Sequence, residues 1–398
     1  MKYYLSEASA NGKAVVLDDM ILTKDLPTTA GSKMLEGYMS LFDAEVVTRL
    51  SAAGYGVSGK ANVGELCIDL LGETSAFGAT TREDGTYIAA SAAIVAKGDA
   101  TAAIGLDANG TPRRAAALSG LVCIKPTYGT VSRFGTVSIA CSGETVSVTA
   151  KTVSEARALL AAIAGHDDKD GTSLSDDKCA AVYAAPEKAT RVAIAKSITE
   201  STDPTMQAKV AAVREALEKN GVTVEEIDDS ILAMAKAAWN VLMSAELCNN
   251  VSRYDGVKYG YRTKNYKTID ELYTNSRTEA FGKLLKTAIL FGSESLSTDN
   301  YMKVYDKGLR MRRVIAEKLA EIFASYDAIL LPVASRTAFC PKCVGNKYTL
   351  SYDENLYTAP ASITGMPVVA LAGVQLIGNA FTENKLYYLA EMIEKEAK

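Results

Sequence analysis

The chain has 398 residues, of which 48% are hydrophobic and 23% are charged, and its formal net charge is −4. This is the composition of a folded globular protein with a large core. It has no run of about 18 apolar residues and no apolar leader before a cleavage site, so we expect neither a membrane span nor export. The acidic balance argues against a broad phosphate-binding face. We therefore expect a cytoplasmic protein that makes no direct contact with nucleic acid.

A buried strand followed by a tight turn is predicted near the first quarter of the chain. The segment TAAIGLD (101–107) is apolar and ends in Asp107, and ANGT (108–111) supplies turn residues. Successive backbone amides in such a turn can converge on an anion or an oxyanion. Thr111 stands where a strand-turn-helix elbow places a nucleophilic hydroxyl. From these residues alone, a plain turn is the simpler interpretation.

Two helices are predicted from their caps and apolar spacing. In KTVSEARALLAAIAG (151–165), Thr152 and Glu155 have the spacing of a capping box, and the glycine at the end stops the helix. In TDPTMQAKVAAVREALEKNG (202–221), Asp203 is the predicted N-cap and Pro204 the first helical residue.

Three strands are predicted around the second helix, and they indicate the fold class. They are RVAIA (191–195), VTVEEID (222–228) and DAILLP (327–332). Strands that alternate with helices and read as apolar runs indicate a buried sheet covered by helices on both faces. The fold class is therefore α/β with a large central sheet. Because no linker rich in Pro, Gly or Ser interrupts the chain, we expect a single domain over 1–398.

The cysteines and the single histidine limit the metal chemistry. Seven cysteines are scattered along the chain, which favours reduced thiols over a disulfide framework. Only CPKC, from Cys340 to Cys343, has the spacing of a metal ligand pair, and His166 is the one histidine. A zinc site needs more ligands than this pair supplies. We expect two loop cysteines, no metal and no cofactor.

Several longer sequence motifs follow one another along most of the chain. They are LPTTAGSKML (26–35), GKANVGEL (59–66), SAFG (75–78), SGLVCIKPTYGTVSRFG (119–135), AIAGHDDKDGTS (162–173), RYDGVKYGYR (253–262) and GVQLIGNAF (373–381). With these words the chain resembles the amidase signature family. RYDGVKYGYR resembles its tRNA-dependent branch, the A subunits of the glutamyl-tRNA(Gln)/aspartyl-tRNA(Asn) amidotransferases. The resemblance implies the amidase signature fold, with a large mixed central sheet between helices.

The resemblance also implies a mechanism. Members of the family use a Ser, cis-Ser, Lys triad, in which the lysine takes a proton from a bridging serine and so activates the nucleophilic serine toward a carboxamide. Lys60, in GKANVGEL, matches the family lysine in this comparison. A neutral lysine near pH 7 requires desolvation, which a buried site rich in Ala and Gly can supply.

The other two triad positions depart from the family pattern. The family loop GGSSGGS corresponds to GTYIAAS (85–91), which places Tyr87 at the bridging serine. The family elbow GSDTGGSIRQP corresponds to GLDANGTPRRA (105–115), which places Thr111 at the nucleophile. A phenol is much longer than a serine side chain, and the extra methyl of threonine crowds attack. The same comparison assigns the oxyanion and substrate loop to Asp107, Ala108, Asn109, Gly110 and Arg113.

Further departures lie outside the triad. VLDDM (16–20) replaces the family's AIKDN, and the segment before Gly85 is short. MPVVALAGVQLIG (366–378) joins two family words without the loop that closes part of the substrate pocket in relatives. The usual N-terminal helical segment is also expected to be missing. Because preorganisation depends on all parts of a site at once, we expect catalysis to be crippled or absent.

Two functions remain open. The first is an amidase or amidotransferase A subunit that releases ammonia from glutamine for transamidation of misacylated tRNA, with B and C subunits as partners. The second is a catalytically inactive relative that binds glutamine or another small amide, or a protein partner. The position of the Lys60 amine relative to the Thr111 hydroxyl discriminates between them.

Overall fold

Strands distributed along the chain form one mixed β-sheet. The structure is a computed structural model that describes residues 3–341 and 346–396. In that part the strands are β1 (Tyr4–Glu7), β2 (Lys13–Asp18), β3 (Tyr55–Ala61), β4 (Ala102–Asp107), β5 (Val122–Lys125), β6 (Thr145–Ala150), β7 (Arg191–Ala195), β8 (Thr223–Ile227), β9 (Ala328–Pro332), β10 (Val368–Leu371) and β11 (Val374–Ile377).

Helices fill most of the connections between these strands. They are α1 (Glu45–Ala52), α2 (Ala90–Lys97), α3 (Thr111–Ala117), α4 (Val153–Ile163), α5 (Asp176–Tyr183), α6 (Lys196–Glu200), α7 (Pro204–Lys219), α8 (Ser230–Asn250), α9 (Ile269–Ala280), α10 (Lys283–Ser295), α11 (Asp306–Phe323), α12 (Lys347–Thr364) and α13 (Glu383–Glu396). Short 3₁₀ turns lie at Lys33–Leu35, Glu65–Cys67 and Val251–Arg253, and a π-helical turn at Tyr301–Tyr305 leads into α11.

The strand order explains how distant parts of the chain meet. The described strands form one 11-stranded sheet in the order β1-β3-β2-β4-β6-β5-β10-β11-β9-β7-β8. β2 is parallel to β3 and β4, and β7 is parallel to β8 and β9, whereas the central pairs from β4 to β9 are antiparallel. The β10–β11 hairpin therefore lies between β5 and β9. It joins the strands of the first 150 residues to those that follow.

Burial of the central strands shows that both faces of the sheet are covered. Every residue of β4, β6 and β9 is buried. Side chains of a strand alternate between the two faces, so full burial requires a layer on each side. The predicted fold class, a large mixed sheet with helices on both faces, is confirmed.

The helices and strands predicted from the sequence form with small changes at their ends. Thr152 caps α4 by accepting a hydrogen bond from the Glu155 amide at 3.2 Å. Asp203 caps α7 by accepting one from the Met206 amide at 2.7 Å. Strand 191–195 has the predicted bounds, and the strands predicted at 101–107, 222–228 and 327–332 are one or two residues shorter. The caps act as expected because their side chains satisfy amides that a helix start leaves unpaired.

One helix has the composition of a membrane span. The segment Ser230–Arg253, which contains α8, is long and apolar enough to cross a membrane, but 56% of its most apolar window is buried inside the described structure. Trp239 and Leu242 of α8 are fully buried. This pattern is typical of a core helix in a globular protein.

The cysteines depart in one place from the expectation of reduced thiols. Cys67, Cys123, Cys141, Cys179 and Cys248 are free, whereas Cys340 is disulfide-bonded. Cys343 of the CPKC motif lies outside the described residues. Within the part of the chain that is described, no group of three or more His, Cys, Asp or Glu side chains could hold a metal ion.

The sheet core predicts the cost of a leucine truncation. Leu330 in β9 is fully buried, and Leu290 in α10 is 71% exposed. We expect Leu330→Ala to lower the free energy of unfolding by about 2–5 kcal/mol, because it removes packed methyl groups and leaves a cavity. Leu290→Ala is the matched control, with an expected change within about 0.5 kcal/mol. Urea unfolding followed by circular dichroism measures both, and equal losses would contradict the assigned core.

Candidate functional site

The turn between β4 and α3 carries most of the predicted site. Asp107 ends β4, and Ala108, Asn109 and Gly110 lead into the first helical residue, Thr111. Gly110 has φ of +83°, a left-handed conformation that glycine adopts without strain. A Cβ atom there would lie 2.4 Å from the Thr358 side chain of α12. The turn therefore depends on this glycine for both its conformation and its packing.

A buried ion pair holds the turn to its helix. Arg113 donates from Nε to Asp107 Oδ2 at 2.8 Å and from Nη2 to Asp107 Oδ1 at 2.9 Å. Both side chains are fully buried. The guanidinium also donates to Gln375 Oε1 and Ser362 Oγ, each at 2.9 Å. The bidentate geometry and the added acceptors satisfy the pair, as burial of two charges requires.

Asn109 fixes the middle of the turn through hydrogen bonds of both its side-chain oxygen and its side-chain nitrogen. Its Oδ1 accepts a hydrogen bond from Trp239 Nε1 at 2.8 Å, and its Nδ2 donates to the carbonyl of Ile68 at 3.0 Å. Its own carbonyl accepts from Thr358 Oγ1 at 2.9 Å. Ala108 beside it is 1% exposed. The predicted oxyanion loop is therefore a rigid and buried segment.

Thr111 uses its hydroxyl hydrogen in a structural bond. Its Oγ1 donates to the backbone carbonyl of Asp69 at 2.9 Å, and the residue is 8% exposed. A serine or threonine becomes a nucleophile when a base takes this hydrogen. A backbone carbonyl is not a base of that kind. The observed partner therefore fixes the position of the hydroxyl.

Lys60 lies in β3 with its amine committed to other groups. Nζ donates to Thr28 Oγ1 at 2.9 Å and to the carbonyl of Ile21, and it lies 3.7 Å from Asp19 Oδ1. Burial lowers the pKa of the amine to about 8, and the nearby Asp19 carboxylate opposes this shift. Among the hydrogen bonds of the described residues, none joins Lys60 to Thr111.

Tyr87 is held in place by a backbone hydrogen bond, and its phenol is affected by the charges of Glu73 and Asp69. Its amide donates to the carbonyl of Phe339 at 2.7 Å, and the residue is 7% exposed. Burial raises the pKa of its phenol, and the charges of Glu73 and Asp69 raise it further. In the described part of the chain, no hydrogen bond links the phenol to Lys60 or Thr111. The hydrogen bonds of the described residues therefore form no direct relay from Lys60 through Tyr87 to Thr111.

Asp18 is a buried acid that the sequence analysis did not single out. It ends β2, and its Oδ2 lies 2.3 Å from where a Cβ on Gly105 would be. The same position on Gly105 is 3.2 Å from the Pro112 ring, so the carboxyl group borders the residue after Thr111. Burial raises the pKa of Asp18 to about 7, opposed by a hydrogen bond from Ser91. Asp18 is the third residue of VLDDM, where AIKDN has lysine, and this mismatch was the signal available in the sequence.

Asp69 and Glu73 form a second acidic group beside the turn. Asp69 accepts from the Thr74 amide and hydroxyl, each at 2.8 Å, and Glu73 accepts from the amides of Leu70 and Leu71 at 3.0 and 2.8 Å. Both are buried, and burial raises the pKa of each carboxyl group. A polar segment of this kind in a loop gives no sequence signal that distinguishes it from an exposed turn.

Arg114 adds a buried cation with incomplete partners. Its hydrogen bonds to Leu70 O, Asn109 O and Thr358 Oγ1 are 3.4–3.5 Å long, and its Nε has none. Burial lowers the pKa of the guanidinium, and neighbouring carboxylates, Glu354 first, oppose the shift. The buried surroundings of Thr111 therefore contain a cation, Arg114, as well as the carboxyl groups of Asp69 and Glu73.

The fold and the turn define a class of protein. A large mixed sheet between helices, with a glycine-dependent turn that leads to a hydroxyl residue at a helix start, is what the resemblance to the amidase signature family implies. A sequence model described as Amidase matches residues 7–387. The chain belongs to the amidase family.

Curated relatives and solved structures agree with this assignment. The chain is 35% identical to the A subunit of glutamyl-tRNA(Gln) amidotransferase from Latilactobacillus sakei, over 94% of this chain and 81% of that protein. It is 36% identical to the corresponding protein of Agathobacter rectalis, over 96% and 80%. The crystal structure of the Thermotoga maritima counterpart superposes with a TM-score of 0.81 at 29% identity and covers 99% of this chain and 87% of that one. Allophanate hydrolase of Kluyveromyces lactis, with a TM-score of 0.82 at 22% identity over 97% of this chain and 62% of that one, shares the fold.

The buried pair predicts a large cost for neutralising one partner. We expect Asp107→Asn to lower the free energy of unfolding by about 3–5 kcal/mol, because it leaves the Arg113 charge buried with reduced compensation. Glu317→Gln is the control, since its partner Arg313 and Glu317 itself are exposed. That change is expected to cost less than about 1 kcal/mol. Denaturant titration at one pH measures both, and similar costs would show that the buried pair is not needed.

The raised pKa of Asp18 predicts how stability changes with pH. Because its folded pKa of about 7 exceeds the ordinary value of 3.8, its contribution to stability is complete below 3.8 and is lost as the pH rises through about 7. Asp18→Asn removes this loss. We expect the difference in free energy of unfolding between the variant and the wild type to grow in favour of the variant, by roughly a few kcal/mol, between pH 4 and pH 8. Parallel curves over that range in guanidinium titrations would contradict the assigned pKa.

Proposed function

We propose that this chain is an amidase-family protein, similar to the A subunits of the amidotransferases, in which amide hydrolysis is weak or lost. It acts instead as a binding or interaction protein on the amidase fold. The observation that carries the proposal is the partner of the Thr111 hydroxyl, the carbonyl of Asp69 at 2.9 Å. With its hydrogen donated there, the candidate nucleophile lacks a base.

The position of Lys60 supports the same conclusion. To act as the base, its amine would have to leave Thr28, the Ile21 carbonyl and the neighbourhood of Asp19. Asp19 would then remain buried without its cation, and an unpaired buried charge is strongly destabilising. A catalytic group has to be positioned before the reaction, because reorganisation during the reaction adds to the barrier. Tyr87 does not bridge the two groups by hydrogen bonds in the described structure.

The acidic residues near Thr111 also disfavour amide hydrolysis. Attack on a carboxamide produces an oxyanion, which backbone amides and cations stabilise and carboxylates destabilise. The Asp18 carboxyl group lies beside Gly105 and the Pro112 ring, next to the turn. Near neutral pH, the raised pKa of Asp18, about 7, leaves part of this group protonated, and it gains negative charge as the pH rises.

The second candidate function is that of a working amidotransferase A subunit. It is favoured by 35% identity to a curated protein of that function over 94% of this chain. Its substrate would be glutamine, its product ammonia for transamidation of misacylated tRNA, and its partners B and C subunits. No direct tRNA contact is proposed for this acidic chain. For both candidates we propose one domain, no cofactor, no membrane association and a cytoplasmic location.

A glutaminase assay with hydroxyl variants tests the proposal. We expect the wild type and Thr111→Val to release ammonia from glutamine at the same rate, at or only slightly above that of a solution without protein, because no base activates the hydroxyl. Thr111→Val keeps the branched shape, so the fold is retained, and circular dichroism verifies this. The assay is run with the chain alone and with the B and C subunits of the Latilactobacillus sakei enzyme.

Lys60→Met with Asp19→Asn is the companion variant, since it removes the amine without leaving a buried charge. Ammonia release that Thr111→Ser keeps and both Thr111→Val and the double variant lose would overturn the proposal. That result would establish the second candidate function.

A further inference from the structure

A groove on the surface of α8 is lined by none of the candidate site residues. An inference about it therefore does not depend on the proposed function. The groove runs between α8, the π-helical turn Tyr301–Tyr305 and the start of α11, and its volume is about 320 Å³. This volume is within the range of pockets that hold small molecules, roughly 300–1,000 Å³.

The floor of the groove is apolar because two helical stripes face each other. One stripe comes from α8 and the other from the π-helical turn and α11, with residues spaced three or four apart as on one helix face. The floor residues are Met234, Ala237 and Val241 on the first stripe and Val304, Gly308 and Met311 on the second. Gly308 allows close approach, since a Cβ atom there would lie 3.3 Å from Leu242. Met234 remains 51% exposed, although it lies on the core helix.

The polar groups of the groove carry one sign of charge. Lys303 and Lys307, one helical turn apart, are its only charged lining residues in the described structure, and neither takes part in an ion pair there. Asp306 between them pairs with Arg310 at 2.7 Å. Two exposed lysines that form no ion pair among the described residues therefore line an otherwise apolar groove. This arrangement complements a ligand with an anionic head and an apolar tail.

The local backbone is irregular at the same place. The turn Tyr301–Tyr305 is π-helical, and it supplies Lys303 and Val304 to the groove. π-helical turns are rare and are found frequently at functional sites. The irregular turn therefore supplies one of the two lysines that line the groove.

We propose that this groove binds a single-chain amphiphile with a carboxylate head, such as a medium-chain fatty acid. The apolar tail lies along the floor between Met234 and Met311, and the carboxylate accepts hydrogen bonds from the ammonium groups of Lys303 and Lys307. The paired lysines beside an apolar floor select a ligand with one anionic head, and a second copy of the chain is an outcome that the experiment below distinguishes.

Calorimetric titration with decanoate, below the concentration at which it forms micelles, tests the proposal. We expect saturable binding of one molecule per chain. Lys303→Gln with Lys307→Gln is expected to weaken decanoate binding about tenfold or more, since hydrogen bonds to charged groups are lost. The same variant leaves binding of decanol unchanged. Ala237→Trp fills the floor and abolishes binding of both probes.

Lys236→Gln is the matched control. Lys236 is also on α8, but it pairs with Asp353 at 2.8 Å and does not line the groove, so decanoate binding is expected to stay the same. Absence of saturable decanoate binding, or equal affinity in the double lysine variant, would overturn the proposal. Sedimentation showing a dimer that Ala237→Trp converts to a monomer would also overturn it, because a second copy would then be the occupant.

Discussion

The ion pair between Asp107 and Arg113 is the constraint on which the candidate site depends. Two charges without water need fixed partners, and here those partners come from a helix and a strand near the other end of the chain, Ser362 and Gln375. The turn from β4 to α3 thereby takes one position relative to α12. Gly110 against Thr358 and Asn109 against Trp239 reinforce that position. The architecture of a reactive turn is thus preserved by contacts that do not require reactivity.

A polar group whose hydrogens are fixed in structural hydrogen bonds differs from a catalytic group, which must be able to transfer a hydrogen. A buried hydroxyl or amine is stable when its hydrogens have fixed acceptors. Catalysis requires that one of those hydrogens can be passed on. Thr111 and Lys60 each have structural partners, Asp69 for the first and Thr28 and Asp19 for the second. Their hydrogen bonds therefore satisfy both polar groups within the fold.

The sequence predicted the fold well because its signals are local or repeated over many residues. Caps such as Thr152 and Asp203 act within one helical turn, and family words spread over most of the chain indicate one architecture. The motif placed Asp107 and Arg113 in one loop, but their pairing became visible only in the structure. The acceptor of the Thr111 hydrogen was not predictable, because Asp69 lies 42 residues away and the choice depends on packing. The mismatch at Asp18 was visible in VLDDM, but its burial beside Gly105 depends on the fold, which brings the end of β2 to that residue.

The hairpin of β10 and β11 has a consequence for biosynthesis. Its strands lie between β5 and β9, so the sheet stays in two unconnected parts until residues near 377 have been synthesised. During translation, the edges of β5 and β9 have no neighbour on that side, and open edges of this kind promote association between nascent chains. The two parts of the sheet can therefore join only after β10 and β11 have emerged from the ribosome, and until then each part keeps one open edge.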